Sequence, residues 1–317
     1  MALDWSKTAF VFPGQGSQVV GMGRDLAEAF PIAQETFEQA NAVLGFSLSD
    51  LCFNGSDEAL NDTINTQPAL YVTSIAALRA LKSALPDAQP AFTAGHSLGE
   101  FTALTAAGAL SFEDGLRLVR ERGRLMKEAD EKSPGAMAAL LGLESDAVRE
   151  VCARASQQTG GILILANDNC PGQSVISGDD ATLELGLELA KAAGAKRAVK
   201  LPISIAAHSP LMESASGDFR HALEKAPFQT PITPIIGNVE AAPLRDVESI
   251  RRELDQQLTH SVRWTESVQT MIAAGAETFL EFGSKDVLVG LIKRIDRSKT
   301  GRALNSADTL RAFIAEQ

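Results

Sequence analysis

Cysteine and histidine are both scarce in this chain of 317 residues. The three cysteines, Cys52, Cys152 and Cys170, are odd in number and lack metal-type spacing, which points to a reduced, cytoplasmic setting. Positive charge is in deficit. A net charge of −11 argues against nucleic acid and against anionic membrane surfaces as partners. No run approaches the length of a transmembrane helix. The N-terminus carries Asp4 and only a short apolar stretch, Ala9-Phe10-Val11-Phe12, so no signal peptide is expected. Internal repeats and low-complexity linkers are also missing. What is present is ordinary for a compact soluble protein, 45% hydrophobic and 22% charged, with length enough for a large domain plus a smaller one.

The most informative stretch is Gly95-His96-Ser97-Leu98-Gly99. A strand-like segment, Ala91-Phe92-Thr93-Ala94, precedes it, and Glu100 through Ala107 reads as a helix. Strand, sharp G-x-S-x-G turn, helix is the nucleophile-elbow pattern, which exposes a serine beside free N–H groups of a helix N-terminus. The competing interpretation is a Gly/Ser turn that merely caps a helix. A nucleophilic serine needs a base, and only four histidines are available. His96 adjoins Ser97 and should point away from its hydroxyl. His221 reads as a solvated helix face, and His260 carries no signal. His208 lies far downstream, on a loop before a helix that Ser209 and Pro210 should start, which is where an elbow enzyme keeps its histidine. No acid obviously completes a triad. Asp168, Asp179 and Asp180 precede His208 but suit turns and caps better, and a main-chain carbonyl can orient a histidine as well, so a Ser–His dyad is workable.

Two further features bear on Ser97. Along the helical stretch Phe112 to Asp130, Arg117, Arg120 and Arg124 share one arc, whereas Arg122 falls on the opposite arc between Leu118 and Met126. A guanidinium among apolar residues either snorkels to the edge or meets an anion in a pocket. Gln15 sits in Phe12-Pro13-Gly14-Gln15-Gly16-Ser17-Gln18, directly after the first strand. No Gly-Lys-Ser/Thr follows, so a phosphate loop is disfavoured and a backbone donor to an oxyanion hole is the better use.

Helices dominate to residue 130 with few strands between them, which predicts an α/β fold with a mostly parallel sheet. From Pro134 the order becomes βαββαβ, with strands expected over 135–143, 162–166, 173–178 and 196–202. That is the ferredoxin-like pattern. The expected organisation is a large domain formed by residues 1–133 and 202–317 with a small subdomain, 134–201, inserted in it.

Together, Phe12-Pro13-Gly14-Gln15-Gly16-Ser17-Gln18, Gly95-His96-Ser97-Leu98-Gly99-Glu100, Arg122-Gly123-x-x-Met126 and His208 resemble the malonyl-CoA:acyl carrier protein transacylases, over nearly the whole chain. The resemblance implies a hydrolase-like large domain, a ferredoxin-like small one and an active site between them. It implies Ser97 as nucleophile, His208 as base oriented by a main-chain carbonyl, and the N–H groups of Gln15 and Leu98 as the oxyanion hole. Arg122 would pair with the malonyl carboxylate, and Gln257 matches a family active-site glutamine. The substrates implied are malonyl-CoA and phosphopantetheinylated acyl carrier protein, with no bound cofactor, no metal, and a monomer in the cytoplasm. Two stretches depart from the family: Ile205-Ala206-Ala207 before His208, and Gly283-Ser284-Lys285-Asp286 in place of a Gly-Pro-Gly-Lys loop. The alternatives are a serine esterase or thioesterase, a non-catalytic carrier-binding module, and a discrete acyltransferase serving a polyketide synthase. Basic residues that would dock an acidic carrier are Lys191, Lys196, Arg197, Lys200, Lys285, Lys293 and Arg294.

Overall fold

A computed structural model describes residues 3–203 and 205–317; Met1, Ala2 and Ser204 lie outside the described residues. The strands in chain order are β1 (Thr8–Phe12), β2 (Phe92–Gly95), β3 (Ala136–Leu141), β4 (Leu163–Cys170), β5 (Gln173–Gly178), β6 (Arg197–Lys200), β7 (Ile235–Ile236), β8 (Pro243–Leu244), β9 (Thr278–Phe282) and β10 (Thr300–Leu304). They form two sheets. The larger runs β10-β9-β1-β2-β7-β8. Every neighbouring pair in it is parallel except β7 with β8.

Alternation along β1 explains why helices cover both faces of this sheet. Phe10 and Phe12 join Leu280 and Phe282 in one apolar cluster, with Leu98, the N-cap of the helix Gly99–Ala106, and Phe101 within that helix. Ala9 and Val11 join Phe279, Trp264 and Leu288 in a second cluster on the other side. A strand apolar on both faces belongs in the middle of a parallel sheet. β1 sits there, and its C-terminal end opens into the site.

The smaller sheet runs β4-β5-β3-β6, antiparallel throughout, with the helices Ser145–Thr159 and Asp180–Ala192 on one face. This is the expected βαββαβ order. Ala136, Ala138 and Leu140 face those helices, so Met137 must face the other way, and with Val175 it lines the functional cavity. β6 stops at Lys200 and not at Pro202, since proline has no N–H for the ladder. β3 ends at Leu141 because Gly142 turns with φ 91°. β4 is tied to the larger body through Val262, which exchanges backbone hydrogen bonds with Ala166 and Asp168 at 2.8 and 2.9 Å. The segment after Ser209 begins as a 3-10 turn, Pro210–Met212, before the α-helix Glu213–Lys225. No described helix is long and apolar enough to cross a membrane.

Candidate active site

The elbow forms because two glycines let backbones meet. A Cβ on Gly95 would run into the backbone of Gly99, and a Cβ on Gly99 would strike the Phe12 carbonyl. The turn pushes Ser97 to φ 52°, a conformation that non-glycine residues seldom adopt outside constrained sites. Its N–H donates to Asn238 Oδ1 at 2.7 Å, and Asn238 Nδ2 donates to the Gly95 carbonyl at 2.7 Å. One asparagine side chain thus clamps both ends of the turn.

Ser97 Oγ lies 2.7 Å from His208 Nε2, and His208 Nδ1 lies 2.8 Å from the Gln257 main-chain oxygen. The acceptor fixes the tautomer: the proton sits on Nδ1, leaving Nε2 free to accept from the hydroxyl. Gln257 ends the helix Val247–Gln257, where carbonyls lack intrahelical partners and the helix dipole is negative. That end favours an imidazolium once it forms. At rest, burial first and then the Arg122 charge pull the His208 pKa down to about 3, so the ring is neutral.

Arg122 is 1% exposed, on the inner face of the helix Phe112–Lys132. Its Nη1 donates to Gln67 Oε1 at 3.0 Å, and its Nη2 donates to Gln257 Oε1 at 2.9 Å and to Ser97 Oγ at 3.1 Å. The buried Nε has no partner, and among the described residues the guanidinium has no ion pair. Burial lowers its pKa only to about 10, so it stays charged. An unpaired cation buried beside a nucleophile is a receptor for an anionic substrate group. Arg117, Arg120 and Arg124 are engaged elsewhere, on Asp114, on Ile64 and Asn65, and on Glu121 and Glu128.

All of this faces a cavity of about 620 Å³, lined also by Gln15, Leu98, Met137, Val175 and Ala207. Among the described residues, neither the Gln15 nor the Leu98 N–H has an acceptor, whereas the Ser97, Gly99 and Glu100 N–H groups are all engaged. The Gln15 side chain turns away to Thr63 Oγ1 at 3.2 Å. The departing loop buttresses that segment, since Ser284 Oγ donates to the Ser17 carbonyl and Lys285 Nζ approaches the Gly16 carbonyl at 3.4 Å.

The structure therefore brings Ser97, His208, Arg122, Gln15 and Leu98 to one cavity, with Gln257 buried behind them and bonded to Ser97, His208 and Arg122. The other candidates are engaged elsewhere, although His96 also lines this cavity. His96 turns to Asn169 Oδ1 at 2.8 Å and lies near the Trp264 ring, while the His221 side chain is exposed. Asp168 binds Thr265, Asp179 caps the helix Asp180–Ala192, and Asp180 meets Lys200. Sequence reasoning assigned no role to Asn238, Gln67 or Glu100. Glu100 alone left a signal, an acid one residue past the motif on a helix whose neighbours are all apolar or small.

Comparison with known proteins agrees with this geometry. The family model described as an acyl transferase domain matches residues 9–309. The malonyl CoA-acyl carrier protein transacylase of Bacillus subtilis is 44% identical over 309 residues, spanning 98% of this chain and 96% of that protein. A crystal structure of an acyl carrier protein S-malonyltransferase from Vibrio cholerae superposes with a TM-score of 0.93 at 43% identity, covering 96% of this chain and 99% of that one. A malonyl-transacylase solved in complex with a type II polyketide synthase acyl-carrier protein has a TM-score of 0.93 at 39% identity, covering 98% and 100%. By its fold, by the matched family model and by identity over nearly its full length, this chain belongs to the malonyl CoA-acyl carrier protein transacylases of the acyl transferase family.

Proposed function

We propose that this chain moves a malonyl group from malonyl-CoA to the phosphopantetheine thiol of acyl carrier protein, in fatty acid biosynthesis, through a malonyl ester on Ser97. The observation that carries the proposal is the Ser97 hydroxyl held between a neutral histidine and an unpaired buried guanidinium. His208 Nε2 takes the hydroxyl proton as Oγ attacks the thioester carbonyl, and the oxyanion draws on the free N–H groups of Gln15 and Leu98. Collapse breaks the C–S bond. The CoA thiolate leaves with the proton from His208, and the acyl group stays on Ser97 while Arg122 holds its carboxylate. In the second half the carrier thiol gives its proton to His208 and attacks the ester, and Ser97 Oγ leaves with that proton. Residues 134–201 act in this proposal as a small subdomain that walls the cavity. The three buried, unbridged cysteines suit a cytoplasmic setting, with the enzyme acting as a monomer.

Simple ester hydrolysis is the weaker reading, because among the described residues His208 has no carboxylate partner and a neutral ester gives Arg122 nothing to bind. Intact-protein mass spectrometry decides between them. Malonyl-CoA should add one malonyl group, stable in buffer and removed on adding holo carrier protein; loss of the group to water at the same rate without carrier would overturn transfer. Holo carriers of fatty acid and polyketide systems, offered side by side, test which pathway is served.

The low His208 pKa sets a pH expectation. Because the folded value of about 3 lies below the ordinary 6.5, the base form persists as pH falls. Malonylation kcat/KM, which reports the free enzyme, should stay level from about pH 8 to about pH 5. A decline with a midpoint near 6.5 would contradict the buried, neutral base.

The basic candidates for carrier docking are not equivalent. Lys200 already meets Asp180 and lies 4.0 Å from Glu184, and Arg294 donates to Gln173 and to the Pro171 carbonyl. Lys285 lines the cavity and, among the described residues, its ammonium has only the long Gly16 contact. Lys285→Glu should raise KM for holo carrier protein about three- to tenfold and leave KM for free pantetheine unchanged. Equal rises for both acceptors would remove Lys285 from the docking surface.

A further inference from the structure

None of the steps above uses Glu100, a fully buried carboxylate in the first turn of the helix Gly99–Ala106. Its Oε1 accepts from the Asn238 N–H at 3.1 Å, and its Oε2 accepts from Gln257 Nε2. Both partners hold the reacting groups. Asn238 clamps the elbow through Ser97 and Gly95. The Gln257 Nε2 also donates to the Ser97 carbonyl at 3.0 Å, its Oε1 accepts from Arg122, and its main-chain oxygen accepts from His208. Ser97, His208 and Arg122 are therefore each two hydrogen bonds from this carboxylate.

The chemistry of an amide makes that link directional. Gln257 has one acceptor end and one donor end, a guanidinium only donates, and both Glu100 oxygens accept N–H bonds here. With Arg122 on one side and Glu100 on the other, a single orientation satisfies all three groups. Burial, and then the neighbouring Glu253 carboxylate, push the Glu100 pKa well above the ordinary carboxylate range. The hydrogen bonds from Gln257 and Asn238 and the Arg122 charge oppose that rise without cancelling it; the orientation of the amide rests on the geometry, in which both Glu100 oxygens face N–H donors.

We propose that Glu100 is a positioning residue for acyl-group selection: by locking the Gln257 amide it keeps the Arg122 guanidinium directed at the acyl pocket, and so sets the preference for carboxylated over neutral acyl groups. This inference rests on the transfer reaction proposed above and names the residue behind its selectivity. The informative variant is Glu100→Gln, which keeps shape but offers one acceptor to two donors. The Asn238 N–H is fixed by the backbone and takes that acceptor. The new NH2 then faces Gln257, whose amide must turn over and point its own NH2 at Arg122.

The experiment measures loading of Ser97 from malonyl-CoA and from acetyl-CoA in the wild type, Glu100→Gln, Arg122→Ala and the double variant, with thermal unfolding as a check on folding. In Glu100→Gln, kcat/KM for malonyl-CoA should fall about ten- to a hundredfold, the effect of a mispaired buried group, while acetyl loading changes less than about twofold. In the Arg122→Ala background the same substitution should leave the malonyl-to-acetyl ratio unmoved, because the pair acts as one unit. Equal loss for both donors, or independent effects in the double variant, would overturn the proposal. If Glu100→Gln does not fold, Gln257→Met cuts the same link at similar volume and must shift the ratio in the same direction; an unchanged ratio overturns the proposal. Failure of the wild type itself to form a malonyl ester would instead refute the transfer reaction.

Discussion

Ser97→Ala should leave a folded protein that takes no covalent label from malonyl-CoA. The hydroxyl is the only group lost, and its two neighbours, His208 Nε2 and Arg122 Nη2, remain facing the cavity. Alanine adopts the left-handed backbone at 97 at about the same cost as serine, so the elbow and its Asn238 clamp should persist. Transfer to carrier protein should drop by about 10⁴-fold or more, as happens when a covalent route is removed and only binding and the oxyanion donors remain. Radiolabelled malonyl-CoA, followed by denaturing electrophoresis, reads the ester directly. Label that persists on the alanine variant would place the nucleophile elsewhere.

Arg122→Ala should change which acyl group is accepted more than how fast the chemistry runs. On the proposed function its guanidinium would make one strong contact to a carboxylated substrate and none to an acetyl group, so kcat/KM for malonyl-CoA should fall about 10²- to 10³-fold, the effect of deleting a buried charged partner. Acetyl transfer should hold or improve, because the cation that lowers the basicity of His208 is gone. The variant should also let His208 protonate at higher pH than in the wild type. Parallel loss for both donors would mean that Arg122 supports the fold of the site and does not select its substrate.

How much of this could be read from the chain depends on how local each feature is. The elbow was legible because its glycines, serine and following helix are contiguous and each has a steric reason. Arg122 was legible from helical angle alone, since a charge on an apolar arc must be explained. The small antiparallel sheet was legible from alternation and turn residues, though β6 is shorter than the expected 196–202 because Pro202 has no N–H for the ladder. Main-chain acceptors and donors leave no trace in side-chain identity. Gln257 illustrates both limits: the resemblance flagged its side chain, whereas its backbone oxygen is what orients His208. Asn238 and Glu100 act across 141 and 157 residues of chain, on Ser97 and Gln257, and no periodicity carries such distances.

The bond from His208 to a main-chain oxygen has a genetic consequence. In a triad whose histidine hangs on an aspartate, one base change can delete the orienting group. Here any codon at 257 that keeps the helix end in place still encodes that oxygen. Drift and selection can therefore alter the side chain at 257, and on the proposal above the acyl preference with it, without removing the acceptor of His208. An evolving lineage could change its acyl donor while its nucleophile stays active throughout.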